Sequence, residues 1–204
     1  MTAHELRPVG ERGLIIELGD NDLVHRYAEA VRQRCDLQDI VAGHTTVMIT
    51  WTPPQTRDQV LQRLRGIDPL AIDPPDRPTL VVPVRYDGPD LDYVAQSTGL
   101  SPAEVIQRHL NGTYRVAFIG FAPGFGYLIG GDPLLRVPRR REPRTRVPAG
   151  SVAMAGEYTA IYPSASPGGW QLIGTTDLPL FDERQDPPAL LHPGTPVTFK
   201  QVRT

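Results

Sequence analysis

GSVAMAGEYTAIYPSASPGGWQLIGTT, Gly150 to Thr176, decides the fold. Three short apolar runs lie inside it, at Gly150–Met154, Tyr158–Tyr162 and Trp170–Gly174, each ended by glycine or proline, the pattern of brief strands and tight turns. The same character extends outward, to TYRVAFI at Thr113–Ile119 and to TPVTFKQV at Thr195–Val202. So many short strands predict a small closed or nearly closed β-barrel, because closure removes the unpaired edges that an open sheet would leave. The 22 prolines and 19 glycines point the same way, since each proline removes a backbone donor and fixes φ, which a helical bundle does not tolerate.

Upstream the pattern differs. GLIIEL at Gly13–Leu18 reads as a strand, and from Asn21 the residues Leu23, Val24, Tyr27, Ala28, Val31 and Cys35 recur at helical spacing, with Asp20 or Asn21 as cap. Asp39–Ala42 and TTVMITW at Thr45–Trp51 follow as a hairpin around Gly43 and His44. Thr56 and Gln59 have capping-box spacing, and Gly66 suits a left-handed helix end. The order is βαββα. Ile67–Pro78, with Pro69, Pro74, Pro75 and Pro78, reads as a linker. The strand TLVVPVRY, Thr79–Tyr86, could close the first part or open the second. Two helices come next: one capped by Asp90 and ended by Gly99, the other with a Ser101/Glu104 capping box and Pro102 at its first position.

Composition excludes several classes. With 21 Lys+Arg against 23 Asp+Glu, the formal charge is −2, so no global positive field draws nucleic acid or an acidic membrane. No apolar run approaches the length of a membrane helix, and a soluble cytoplasmic protein is expected. Cys35 is the only cysteine, which excludes an internal disulfide and suits apolar packing on its helix. The only lysine, Lys200, has no phosphate-loop glycines around it, and no GxSxG elbow occurs. Histidines at 4, 25, 44, 109 and 192 lack paired spacing, so no metal site is expected.

The chemistry-bearing residues concentrate between Gly120 and Thr176. GFAPGFGYL, Gly120–Leu128, combines glycine backbone that can approach a ligand with rings at Phe121, Phe125 and Tyr127; the same aromatics suit the core of a barrel turn. Six arginines, at 136, 139, 140, 141, 144 and 146, lie in an irregular segment stiffened by Pro138, Pro143 and Pro148. Guanidinium forks held this way suit carboxylate or phosphate, and a solvated loop is the alternative. Gly150 and Ser151 follow directly, where backbone N–H groups could finish an anion cradle. Trp170 follows the turn of Pro167, Gly168 and Gly169, and His109 ends its amphipathic helix.

YDGPDL (Tyr86–Leu91), His109 after EVIQR, GFAPGFGYL, PRRREPR (Pro138–Arg144), VPAGSVAMAG (Val147–Gly156) and IYPSASPGGWQLIGTT (Ile161–Thr176), in this order, resemble one family. It is that of the 5-oxoprolinase B subunit, otherwise known as allophanate hydrolase subunit 1, which includes the KipI inhibitor of a sporulation histidine kinase. The resemblance implies an α+β chain: a small βαββαβ-type domain with its proline-rich linker over residues 1–78, then a cyclophilin-like β-barrel over residues 79–204. It implies one component of an ATP-dependent enzyme that opens 5-oxo-L-proline to L-glutamate, inactive alone. The expected partners are a larger C subunit, in a heteromeric complex, with a separate LamB/YcsF-like A subunit. ATP is the expected co-substrate, with magnesium held by the assembled complex.

Within that reading Arg139 and Arg144 hold a phosphate or the substrate carboxylate, and His109 and Tyr127 orient or transfer protons. Gly120, Phe121, Pro123, Gly124, Phe125, Gly150, Ser151, Gly168, Gly169, Trp170 and Thr176 complete the substrate or nucleotide pocket. One departure stands out. Many members place a basic residue and a proline within GTTD, Gly174–Asp177, where this chain has Thr175 and Asp177; the missing charge falls to the partner or to Arg136 and Arg146. Two other roles share these features: a KipI-like kinase inhibitor, acting through an exposed apolar patch, and a prolyl isomerase, resting on fold alone.

Overall fold

The computed structural model describes residues 5–73 and 76–202, so His4 and the linker prolines Pro74 and Pro75 lie outside the described residues. The chain divides into two compact units, residues 1–76 and 77–204.

The first unit is a four-stranded antiparallel sheet with two helices. Its elements are β1 (Glu5–Pro8), β2 (Gly13–Glu17), α1 (Asn21–Arg34), β3 (Asp39–Ala42), β4 (Thr46–Thr50) and α2 (Arg57–Leu64), in the sheet order β1-β2-β4-β3. Alternation places Leu14, Ile16, Val47 and Ile49 inward, where they meet Val24, Ala28 and Val31 of α1 and Val60 and Leu64 of α2. The caps follow the sequence: Asp20 accepts from the amides of Asp22 and Leu23, and Thr56 and Gln59 close a capping box. Cys35 sits buried at the C-cap of α1, just past the helix.

Two features depart from expectation. The exposed strand β1 precedes β2, giving ββαββα in place of βαββαβ. The start of the expected linker is part of this unit: Ile67 and Pro69 are buried, and Arg26 donates to the Ile72 carbonyl at 3.0 Å. Ile67, Ile72 and Pro69 carry enough apolar surface to hold that stretch against the core.

The second unit is the barrel. Its elements are β5 (Leu80–Val84), α3 (Leu91–Thr98), α4 (Pro102–Leu110), β6 (Tyr114–Ile119), β7 (Gly126–Ile129), β8 (Arg144–Val147), β9 (Ser151–Ala155), β10 (Tyr158–Ile161), β11 (Ser166–Gly168), β12 (Gln171–Thr175) and β13 (Pro196–Gln201). Seven strands run in the order β12-β9-β10-β7-β6-β13-β5, and β8 pairs with β11 as a separate ribbon. The strand that the sequence left open, β5, belongs here, parallel to β13. The ends of the sheet meet through Arg85 and Thr175, whose amides and carbonyls exchange bonds of 2.8 and 2.9 Å. At this seam a Cβ on Gly174 would run into the Arg85 carbonyl, so backbone contact requires glycine there.

Period-two alternation gives the sheet two apolar faces. Val152 and Met154 of β9, Ile161 of β10 and Ile173 of β12 join a core with Val94 and Val105 of the helices. Their neighbours Ala153, Ala155, Ala160 and Leu172 face the opposite way, into a layer with Phe125, Tyr162 and Trp170. That second face carries the candidate site. Among the described residues no helix is long and apolar enough to cross a membrane.

Candidate functional site

Aromatic rings pave this face. Phe118 stacks on Tyr127 at 4.3 Å between centroids, and Tyr127 meets Tyr158 and Trp170 edge-on. Phe125 packs edge-on against Tyr162 and Trp170 at 5.2 and 5.7 Å. Such pairs add about 0.5–1.5 kcal/mol each beyond area burial, so the layer is a rigid floor. The turn between β6 and β7 supplies one ring differently. Ala122 donates to the Gly120 carbonyl at 2.8 Å across Phe121, which is held at φ 70° and is 63% exposed. A non-glycine residue in this left-handed region is strained, and the strain here presents an apolar ring to solvent.

The arginines divide into two groups. Arg140 and Arg144 turn toward Asp90, whose buried Oδ1 accepts from them at 3.1 and 2.8 Å while Oδ2 accepts from the Leu172 amide at 2.7 Å. Asp90 stands at the N-cap of α3 and makes no side-chain cap bond, which corrects the capping role expected of it. The two guanidinium groups occupy Oδ1 and the Leu172 amide Oδ2, so the carboxylate is committed away from the helix amides. Arg144 is thus partly neutralised, with Nη2 on Asp90 and Nη1 buried without a partner. Arg136 and Arg139 face outward instead. Arg139 lies over the Trp170 ring, 5.8 Å from its centroid. Burial raises the Tyr162 hydroxyl, while a Trp170 backbone hydrogen bond and the charges of Arg139 and Arg144 pull it partly back.

Several expected members take structural roles. The amides of Gly150 and Ser151 already donate to the carbonyls of Tyr162 and Pro148, and Ser151 is buried, so they finish no anion cradle. Gly150, at φ 78°, lies against the Thr176 carbonyl where a side chain would not fit. Gly120 donates to Phe125, Thr176 donates its amide to Gly150 and accepts from Leu178, and Gly169 accepts from Arg140. Gly168 pairs with Arg144 beside the Tyr162 hydroxyl, and Gly124 is buried against Phe181. Pro123 is exposed on the turn. Turns between short strands satisfy their amides within the protein, and sequence spacing does not reveal with which carbonyl.

His109 is fully buried, apart from the arginines. Its Nδ1 bonds the Tyr86 hydroxyl at 2.7 Å, its ring packs on Phe199 at 4.4 Å and Tyr114 at 5.3 Å, and its Nε2 has no partner. Burial pulls its pKa down to about 3. Burial favours the neutral imidazole, and its ring contacts give it the structural role that its place at the helix end also allows.

The open concavity on this face is a groove of about 550 Å³ lined by Arg136, Pro138, Arg139, Gly156, Glu157 and Tyr158. Arg139 joins it to the aromatic floor. Glu157 and Tyr158 carried no motif signal, although the turn between the GSVAM and YTAIY runs was the place to look. At the GTTD edge Asp177 accepts from Nη1 and Nη2 of Arg85, at 2.6 and 3.0 Å, a two-pronged ion pair. No group of three or more histidine, cysteine or acidic residues among the described residues is arranged to hold a metal ion.

The family model "Carboxyltransferase domain, subdomain C and D" matches residues 4–191. The 5-oxoprolinase B subunit from Escherichia coli O157:H7 is 37% identical over 203 residues, covering 94% of this chain and 93% of that one. The Bacillus subtilis (strain 168) protein of the same name is 48% identical over 130 residues, 62% of this chain and 54% of its own length. Among solved structures, TTHA0988 superposes with a TM-score of 0.85 at 37% identity; the match covers 95% of this chain but only 41% of that one.

Proposed function

Because the chain belongs to the carboxyltransferase-domain family and to its 5-oxoprolinase B-subunit members, we propose that it is the B component of an enzyme hydrolysing a cyclic amide, 5-oxo-L-proline, to L-glutamate. The observation that carries this reading is the E. coli relative, 37% identical over nearly the whole of both chains. The reaction uses ATP, and the chain works with the larger C and the separate A components.

A lactam resists water because amide resonance leaves its carbonyl carbon a poor electrophile. Transfer of a phosphoryl group to the amide oxygen removes that protection. Such transfers need clustered positive charge and positioning more than covalent help from protein. This chain's own residues suit that task. Arg139 is held over Trp170 at the edge of an open groove with Arg136 beside it, while Arg140 and Arg144, already paired with Asp90, brace the segment that carries them. Tyr127, in the stacked floor, orients through packing. The groove is open on one side, so a phosphoryl donor and its magnesium can be brought by a partner protein.

The test mixes the purified chain with its candidate A and C partners and measures glutamate release from 5-oxoproline with and without ATP. Turnover that requires all three chains and ATP is expected. Equal turnover when this chain is omitted would refute the reading.

A further inference from the structure

Arg139 stands opposite Trp170 because the residues on either side of it are stitched to the residues on either side of the tryptophan. The Gln171 side chain donates from Nε2 to the Pro138 carbonyl at 3.0 Å, and the Arg140 amide donates to the Gly169 carbonyl at 2.7 Å. With position 138 tied to 171 and 140 tied to 169, position 139 falls across from 170. Its guanidinium then lies 5.8 Å from the centroid of the Trp170 ring.

Asp90 fastens the same segment to β12. Its amide donates to the Leu172 carbonyl at 2.9 Å and its Oδ2 accepts from the Leu172 amide at 2.7 Å. Its Oδ1 then accepts from Arg140 Nη1 at 3.1 Å and from Arg144 Nη2 at 2.8 Å. The Asp90 side chain is only 6% exposed, so salt screens these pairs little. Arg139 differs from its neighbours: it is exposed at the rim of the groove, and among the described residues it makes no ion pair. The charges of Arg140 and Arg144 are committed to holding the segment, and that of Arg139 is left for a guest.

We propose that Asp90 and Gln171 are positioning residues that act through Arg139, holding its guanidinium over Trp170 so that an anionic guest meets a charge already in place. A long side chain on a loose loop must be ordered as it binds, whereas one fixed beforehand loses less freedom and is aimed before the reacting groups arrive. Both residues are buried, 4% and 1% exposed, so neither reaches the guest itself. The proposal rests on the reading of the chain as a 5-oxoprolinase component in which Arg139 meets a phosphate or a carboxylate.

The test uses Asp90→Asn and Gln171→Met, which keep side-chain size and remove the charge and the donor respectively, with thermal melts to verify folding. One arm follows the Arg139 Nε–Hε group by NMR in the full chain labelled with nitrogen-15 arginine, its signal identified by its loss in Arg139→Lys. The heteronuclear NOE of that group should be high in the unaltered chain and fall in both variants toward that of an exposed arginine such as Arg146. The other arm measures turnover in the complex assembled with the partner proteins and ATP. Either substitution should lower kcat/KM for 5-oxoproline about tenfold or more. On an Arg139→Ala background it should add no further loss, because nothing is left to position; a merely structural role predicts the same fold loss on both backgrounds. Unchanged Arg139 order in both variants, unchanged kcat/KM in both, or an equal further loss on the Arg139→Ala background would each overturn the proposal. Absence of 5-oxoproline turnover in the unaltered complex would refute the proposed activity, and the NOE comparison would then decide the positioning by itself.

Discussion

Replacing His109 by phenylalanine should remove much of the barrel's sensitivity to acid. The unfolded imidazole titrates at its ordinary value of 6.5, while burial holds the folded one near 3. Between these values the unfolded chain carries a proton that the folded chain does not, so stability is full above about pH 6.5 and falls as pH drops. For this pair of pKa values the linked loss from pH 7 to pH 5 is about 2 kcal/mol, and it reaches about 3 kcal/mol by pH 4. Phenylalanine preserves packing on Phe199 and Tyr114 and leaves the Tyr86 hydroxyl without its 2.7 Å partner, a pH-independent loss of about 1–2 kcal/mol. Urea denaturation followed by Trp170 fluorescence, in a Trp51→Phe background, reports the second unit alone. Carboxylates titrate equally in both proteins, so comparing them isolates His109. The stability difference between pH 7 and pH 5 should be about 2 kcal/mol smaller in the variant. Equal pH dependence in the two proteins would refute the reasoning.

Asp90→Ala leaves two guanidinium groups and the Leu172 amide without their acceptor and should destabilise the second unit by about 3 kcal/mol in urea titration, with Asp90→Asn losing less. Phe121→Gly relieves a positive φ at an exposed side chain, so the melting temperature should hold or rise, by the equivalent of up to about 1 kcal/mol. Gly174→Ala forces a Cβ into the Arg85 carbonyl at the seam. It should cost about 3 kcal/mol, and amide exchange of Arg85 and Thr175 should accelerate first.

Much of the fold was legible because its signals are local. Ser101 and Glu104 needed only their spacing to announce a capping box, and Gly99 and Gly66 adopt the left-handed backbone that glycine alone adopts freely. The short runs from Thr113 onward became barrel strands because apolar residues between turn formers leave few alternatives. The site was legible only in part. The sequence brought the arginines and the aromatic turn to notice but could not say which guanidinium groups are already bound. Asp90 lies 50 residues from Arg140 and 54 from Arg144, and no short-range pattern pairs them.

By itself, then, the sequence determined helix ends, turn positions, the barrel class and the family motifs, each of which depends on neighbours a few residues apart. Only the tertiary structure decided that β5 pairs with β13, that the Gly150 amide is taken by the Tyr162 carbonyl, that His109 is sealed among rings, and that Arg136 and Arg139 face Glu157 across a groove. Those outcomes depend on which groups compete for one partner after distant segments meet. Burial then fixes the winner, because an unpaired polar group inside the protein is costly and a paired one is not.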